Sequence, residues 1–126
     1  MATHLLLVLC NSKPGLDEEF VHWYQGEHLP WTVQTLPGVT SGQQYSRAPI
    51  EASLPPYKYL AIYQVDDSRL EETIARFAAN RVERAAEAAA GRTSMLTISP
   101  AMDTSDSIVG FFAPLGETVH DSPSAS

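Results

Sequence analysis

The chain is poor in the residues that build cross-links and cofactor sites. A single cysteine, Cys10, among 126 residues excludes an intramolecular disulfide and any thiolate cluster within the chain. The four histidines, His4, His22, His28 and His120, fall at no metal-ligand spacing, so no metal is expected. Eight Lys and Arg against fifteen Asp and Glu leave a net charge of −7. The basic residues form no cluster of the kind that phosphate backbones require, which argues against nucleic acid as a partner. No apolar run reaches membrane-spanning length. The run Leu5 to Cys10 is strand-length and lacks a basic segment before it, so it reads as a first strand rather than a signal, and the protein as cytoplasmic. There is no glycine-rich phosphate loop: Gly38 and Gly42 are isolated, and Ser41 lacks the context of a nucleophile elbow. No cofactor is expected.

What is present is enough apolar sequence, 44% of residues, to bury one core. Residues 1–115 read as a single domain. From 116 to 126 the composition turns to Glu, Thr, His, Asp, Ser, Pro and Ala, which favours a flexible tail.

The most informative stretch is Phe20-x-x-Trp23-Tyr24-x-x-Glu27-His28-Leu29-Pro30. On a regular helix Phe20, Trp23, Tyr24, Glu27 and His28 share a face that begins aromatic and ends ionisable. Packing alone explains an aromatic stripe. It does not explain a carboxylate and an imidazole at the stripe's inner end, which have the makings of an acid/base site walled off from water. Trp31 and the strand residue Tyr63 are further candidates for the substrate pocket, and Tyr24 is near enough to His28 to share its chemistry.

The elements read strand, helix, strand, strand, helix, strand. A turn from Asn11 to Gly15 leads to Asp17, a plausible N-cap, and Pro30 should end or kink the first helix. Trp31 to Leu36 reads as a further short helical piece, and Leu36-Pro37-Gly38-Val39 turns the chain into strand two. A proline-rich connection, 48–56, precedes strand three, Tyr57 to Val65, whose two faces both carry apolar residues. Ser68 and Glu71 have capping-box form at the start of a second helix with Leu70, Ile74, Phe77 and Ala78 at helical spacing, ending near Gly91. Met95 to Ile98 reads as a short strand or apolar loop, 100–107 as turn chemistry, and Ile108 to Ala113 as the last strand.

That βαββαβ order is the ferredoxin-like arrangement, an α+β fold with a four-stranded antiparallel sheet and both helices on one face. The other face must then be covered. If it is the tyrosine face of strand three, pairing of two sheets in a homodimer covers it.

The first-helix motif, the Leu36-Pro37-Gly38-Val39 entry and the strand Tyr57-Lys58-Tyr59-Leu60-Ala61-Ile62-Tyr63-Gln64-Val65-Asp66 together resemble the EthD-like branch of the dimeric α+β barrel superfamily. The resemblance spans about residues 4 to 115 and implies a homodimeric barrel. Members include cofactor-free monooxygenases, lactone isomerases, polyketide cyclases, decarboxylases and haem-degrading enzymes. The histidine of the first-helix motif corresponds to His28. The haem-degrading branch is less similar, since 68–90 contains no histidine, and the plant-type cyclase histidine late in the chain is absent from 108–113. The leading expectation is a cofactor-independent lyase or isomerase of a small aromatic or polyketide-like molecule, with His28 and Tyr24 catalytic and Phe20, Trp23, Glu27, Trp31 and Tyr63 around the substrate. A non-catalytic dimeric binding protein and a cofactor-free oxygenase of a phenol are the alternatives.

Overall fold

Strand β1 (Thr3–Ser12) lies inside a 4-stranded antiparallel sheet of order β2-β3-β1-β4, between β3 (Tyr59–Asp66) and β4 (Met102–Phe112), with β2 (Val39–Ser46) beyond β3. The computed structural model describes residues 3–48, 56–91, 99 and 101–121. The first helical layer is α1 (Asp17–Trp23), a π-helical turn (Tyr24–His28) and α2 (Leu29–Thr35); the second is a 3-10 turn (Asp67–Arg69) running into α3 (Leu70–Ala89). Element order and strand order together are ferredoxin-like. No helix among the described residues is long and apolar enough to cross a membrane.

Period-two alternation sorts the sheet into two faces. In one row Leu6 stands between Tyr63 and Phe111, and in the next Val8 stands between Ala61 and Val109. These residues, with Cys10 and Val65, join Phe20, Tyr24 and Leu36 of the first helical layer in the core. The opposite rows set Leu7 between Ile62 and Gly110, and Leu9 between Leu60 and Ile108. No helix among the described residues covers that face, and Ile108 and Phe112 are about half exposed on it.

The tyrosine side of strand three is therefore the helix-covered side, against the expectation that it faces a partner sheet. Tyr63 is 1% exposed, and Tyr59 packs on Phe20 at 4.9 Å between ring centroids. The reason is packing: on that side Tyr63 meets Tyr24 and Tyr59 meets Phe20, so the rings of strand and first helix fill one another's space.

Other local readings shift as well. Asp17 opens α1 as its first residue rather than its cap, because its carboxylate accepts from Lys58 Nζ at 2.8 Å and Tyr59 Oη at 2.7 Å. Asp66, not Ser68, supplies the cap of the second helical layer, accepting from the Ser68 backbone N–H at 2.9 Å. β4 starts at Met102, six residues before Ile108, because Asp103 and Met102 pair with Asn11 and Ser12 beyond a register shift whose extra residues lie on β4. Pro37-Gly38 makes the expected turn, with Gly38 at φ +86° and the Thr73 hydroxyl donating to the Pro37 carbonyl. The stretch Met95 to Ile98, most of the 48–56 connection and the tail beyond 121 lie outside the described residues.

Candidate active site

Pro30 has no N–H to give a helix and its ring crowds the carbonyl four residues back. The chain meets this with a wide turn just before it. The Leu29 N–H reaches back five residues to the Tyr24 carbonyl, and Pro30 then falls in the first turn of α2, where a missing donor costs nothing. A single π turn inside a helix inserts one residue and places side chains five apart over one another. Trp23 and His28 are such a pair: their rings stack at 4.8 Å with an interplanar angle of 24°. The Tyr24 ring meets the imidazole edge-on at 4.9 Å, and Trp31 lies near-parallel to it at 6.3 Å.

The imidazole lines a cavity of about 250 Å³ between the helical layers and the sheet. Leu6, Val8 and Val109 of the sheet and Leu36 after α2 supply apolar wall, and Tyr24, Trp31, Thr32 and Tyr63 line it as well. From α3 come Phe77, Asn80, Arg81 and Arg84. Burial, with the Arg84 charge adding to it, lowers the His28 pKa from 6.5 to about 4. The ring is thus neutral at physiological pH. It can accept a proton, though at an empty site it does so reluctantly.

Beside it, the Tyr24 and Tyr63 hydroxyls form a hydrogen bond of 2.8 Å, each residue being 1% exposed. Burial first, and for Tyr24 the neighbouring Tyr63 as well, raises both phenols above their ordinary range, so both stay protonated. One bond between two hydroxyls uses one proton. The other remains for a ligand, while Thr32, also on the cavity, donates its own proton to the His28 carbonyl at 2.8 Å. Gly42, directly across from Tyr63 in the β2 ladder, lets the ring lie flat over the strand; a Cβ there would come within 2.7 Å of Tyr63 Cδ1.

Of the residues singled out in the sequence, His28, Tyr24, Trp31 and Tyr63 are brought together on the cavity. Trp23 stands behind, stacked on the imidazole. Phe20 is buried one layer deeper, against Trp23, Tyr24 and Tyr59. Glu27 is exposed and does not line the cavity, because the extra residue of the π turn carries it off the inward face. The α3 contribution was not foreseen. Its inward positions are Thr73, Phe77, Asn80 and Arg84, spaced four, three and four apart, while Ile74 is 41% exposed. Polar residues repeating at helical period on a face that must cover a sheet were the signal.

Cys10 is buried, and desolvation raises its thiol to about 11, which leaves it an unreactive core residue. No group of three or more His, Cys, Asp or Glu suited to a metal ion occurs among the described residues.

Comparison with solved structures agrees with this architecture. A crystal structure described as a dimeric ferredoxin-like protein of unknown function from Thermobifida fusca YX matches with a TM-score of 0.56 and 15% identity, covering 90% of this chain and 92% of that one. The fold is shared. At that identity the likeness speaks for the fold alone. No family model matches the sequence, and no curated protein does.

Proposed function

We propose that the cavity beside His28 is the active site of a cofactor-independent lyase or isomerase acting on a small aromatic or otherwise largely apolar molecule. The observation that supports this reading is the state of His28: a neutral imidazole on a cavity wall, held between stacking indole rings, with a protonated tyrosine pair beside it. Such a group takes a proton from carbon next to a carbonyl. Charge then develops on the carbonyl oxygen, where the spare phenolic proton of the Tyr24–Tyr63 pair can stabilise it. In an isomerase the imidazolium returns that proton to another carbon, and in an eliminating lyase it gives it to the departing group. In a decarboxylase no C–H bond breaks, and the enolate left by CO2 takes a proton that the imidazole draws from solvent. The EthD-like resemblance points to the same histidine and belongs to this reading.

The same reading takes the protein as a homodimer joined through the open sheet face. A row such as Leu9, Leu60 and Ile108 needs a cover, a second copy supplies one by two-fold symmetry, and the Thermobifida fusca relative in fold is described as dimeric.

The test is solvent deuterium exchange into enolisable aryl ketones, together with decarboxylation of aryl β-keto acids, followed by NMR. The protein should accelerate one of these over buffer, and His28→Gln should lower that acceleration by about 10² to 10⁴-fold. Full activity in His28→Gln would reduce the imidazole to a positioning role and end this reading.

A further inference from the structure

Asparagine is a weak helix former and a costly residue to bury. Asn80 is both inside a helix and buried: it follows Ala78 and Ala79 in the alanine-rich α3, lines the cavity, and is 8% exposed. Its side-chain carbonyl Oδ1 accepts from Arg76 Nε–H at 3.0 Å, one turn back on the same helix. That bond accounts for one end of the amide. Because a guanidinium can pair only with the oxygen, the bond also sets which way the amide faces, and the NH2 group is the end left for the cavity. Asn80 Nδ2 makes no hydrogen bond among the described residues. A pairing four residues apart on a helix needs no burial, as the exposed Arg76 shows, and Ala or Leu at position 80 would make a better helix and a better apolar wall. An amide donor kept there against both preferences has its use in what enters the cavity.

The cavity therefore has hydrogen-bond donors from separate elements: the spare phenolic proton of the Tyr24–Tyr63 pair, on the first helical layer and β3, and the Asn80 amide on α3. We propose that Asn80 is a ligand-binding residue, and that the ligand is a small aryl β-dicarbonyl compound, with one oxygen on the phenolic proton and the other on the Asn80 amide N–H. This rests on the cavity being the ligand site, as proposed above, and names the substrate class. A space of about 250 Å³ with largely apolar walls takes one aryl group bearing a short oxygenated chain. The chemistry of the site favours the β arrangement. A carbon between two carbonyls is the one whose C–H bond an imidazole breaks most readily. When His28 takes that proton, the negative charge left by the C–H electron pair spreads over both oxygens, and each then has a protein donor. A ligand with a single carbonyl would leave one of the two donors unmatched.

The probe is benzoylacetone, titrated by calorimetry and NMR at neutral pH beside butyrophenone and benzylacetone, the two monoketones that each lack one of its carbonyls. Benzoylacetone should bind about fivefold or more tighter than either, as one further buried hydrogen bond predicts. In Asn80→Leu, similar in size and without a donor, that preference should vanish while the monoketones still bind. It should vanish also in Asn80→Asp, whose carboxylate accepts from Arg76 but has no N–H to give. In the unaltered protein the side-chain amide resonances of Asn80 should shift on saturation with benzoylacetone. The preference should survive in His28→Gln, so that a failure of the catalytic reading leaves the binding role standing. Equal binding of the diketone and the monoketones, binding of none of the three, unmoved Asn80 resonances, loss of the preference in His28→Gln, or a preference that persists in folded Asn80→Leu would each overturn the proposal. Should Asn80→Leu not fold, Asn80→Asp and the Asn80 resonances of the unaltered protein decide the matter.

Discussion

His28 gives the protein a dependence on acid that can be measured without any substrate. The unfolded chain takes up the proton near pH 6.5 and the folded chain only near 4. Between those values the unfolded state holds more protons, so stability rises with pH across the window and is lost on acidification through it. The full loss, reached below about pH 4, amounts to at most about 3 kcal/mol. Urea denaturation at pH 7.5 and 4.5 should show it, and His28→Gln should be flat over the same window. The tyrosine pair makes a second residue-level prediction. Tyr24→Phe or Tyr63→Phe alone leaves a buried hydroxyl without its partner, at about 1 to 3 kcal/mol, whereas the double replacement should cost clearly less than the sum. Additive losses in a double-mutant cycle would mean that the two hydroxyls do not depend on each other.

At the scale of elements, the first helix was legible in its stripe and its proline but not in its pitch. Period 3.6 puts Phe20, Trp23, Tyr24 and His28 inward, and the structure agrees. The same period puts Glu27 inward, and the π turn takes it out. Nothing in the composition of Tyr24 to His28 announces an i to i+5 turn; Pro30 marks that something must give, not how. In α3 the apolar pattern holds for Leu70 and Phe77, which pack against the core, and fails for Ile74 and Ala78, which are exposed. Packing against a cavity that carries charge let Asn80 and Arg84 face the sheet and Ile74 face water. β2 supports the site through an absence, and it can be tested. Gly42→Ala should place a methyl group against the Tyr63 ring, cost about 1 to 3 kcal/mol in stability and loosen the tyrosine pair. Thermal melting, together with the shift of the Tyr63 ring resonances, would check both parts.

For the molecule as a whole, the order of strands and helices followed from alternation, turn residues and helical spacing. Which face of the sheet the helices cover did not. Strand three is apolar on both sides, so period two leaves the choice open until tertiary packing places Tyr63 beside Tyr24. The expected partner face moves accordingly, from Tyr59 and Tyr63 to Leu7, Leu9, Leu60 and Ile62. Ile62→Lys should give a monomer by light scattering, with the cavity and its ligand binding retained. Placing a charge at Tyr63 should unfold the chain instead.

The open face also bears on how the chain reaches its native state. In the homodimer proposed above the covering layer arrives by collision, so the last step of folding would be second order. Freshly made chains at low abundance should linger as half-covered species, and refolding traces should slow in proportion as the solution is diluted. The melting point becomes a property of the solution as much as of the sequence. It should climb with each tenfold rise in protein, because mass action holds the paired state together.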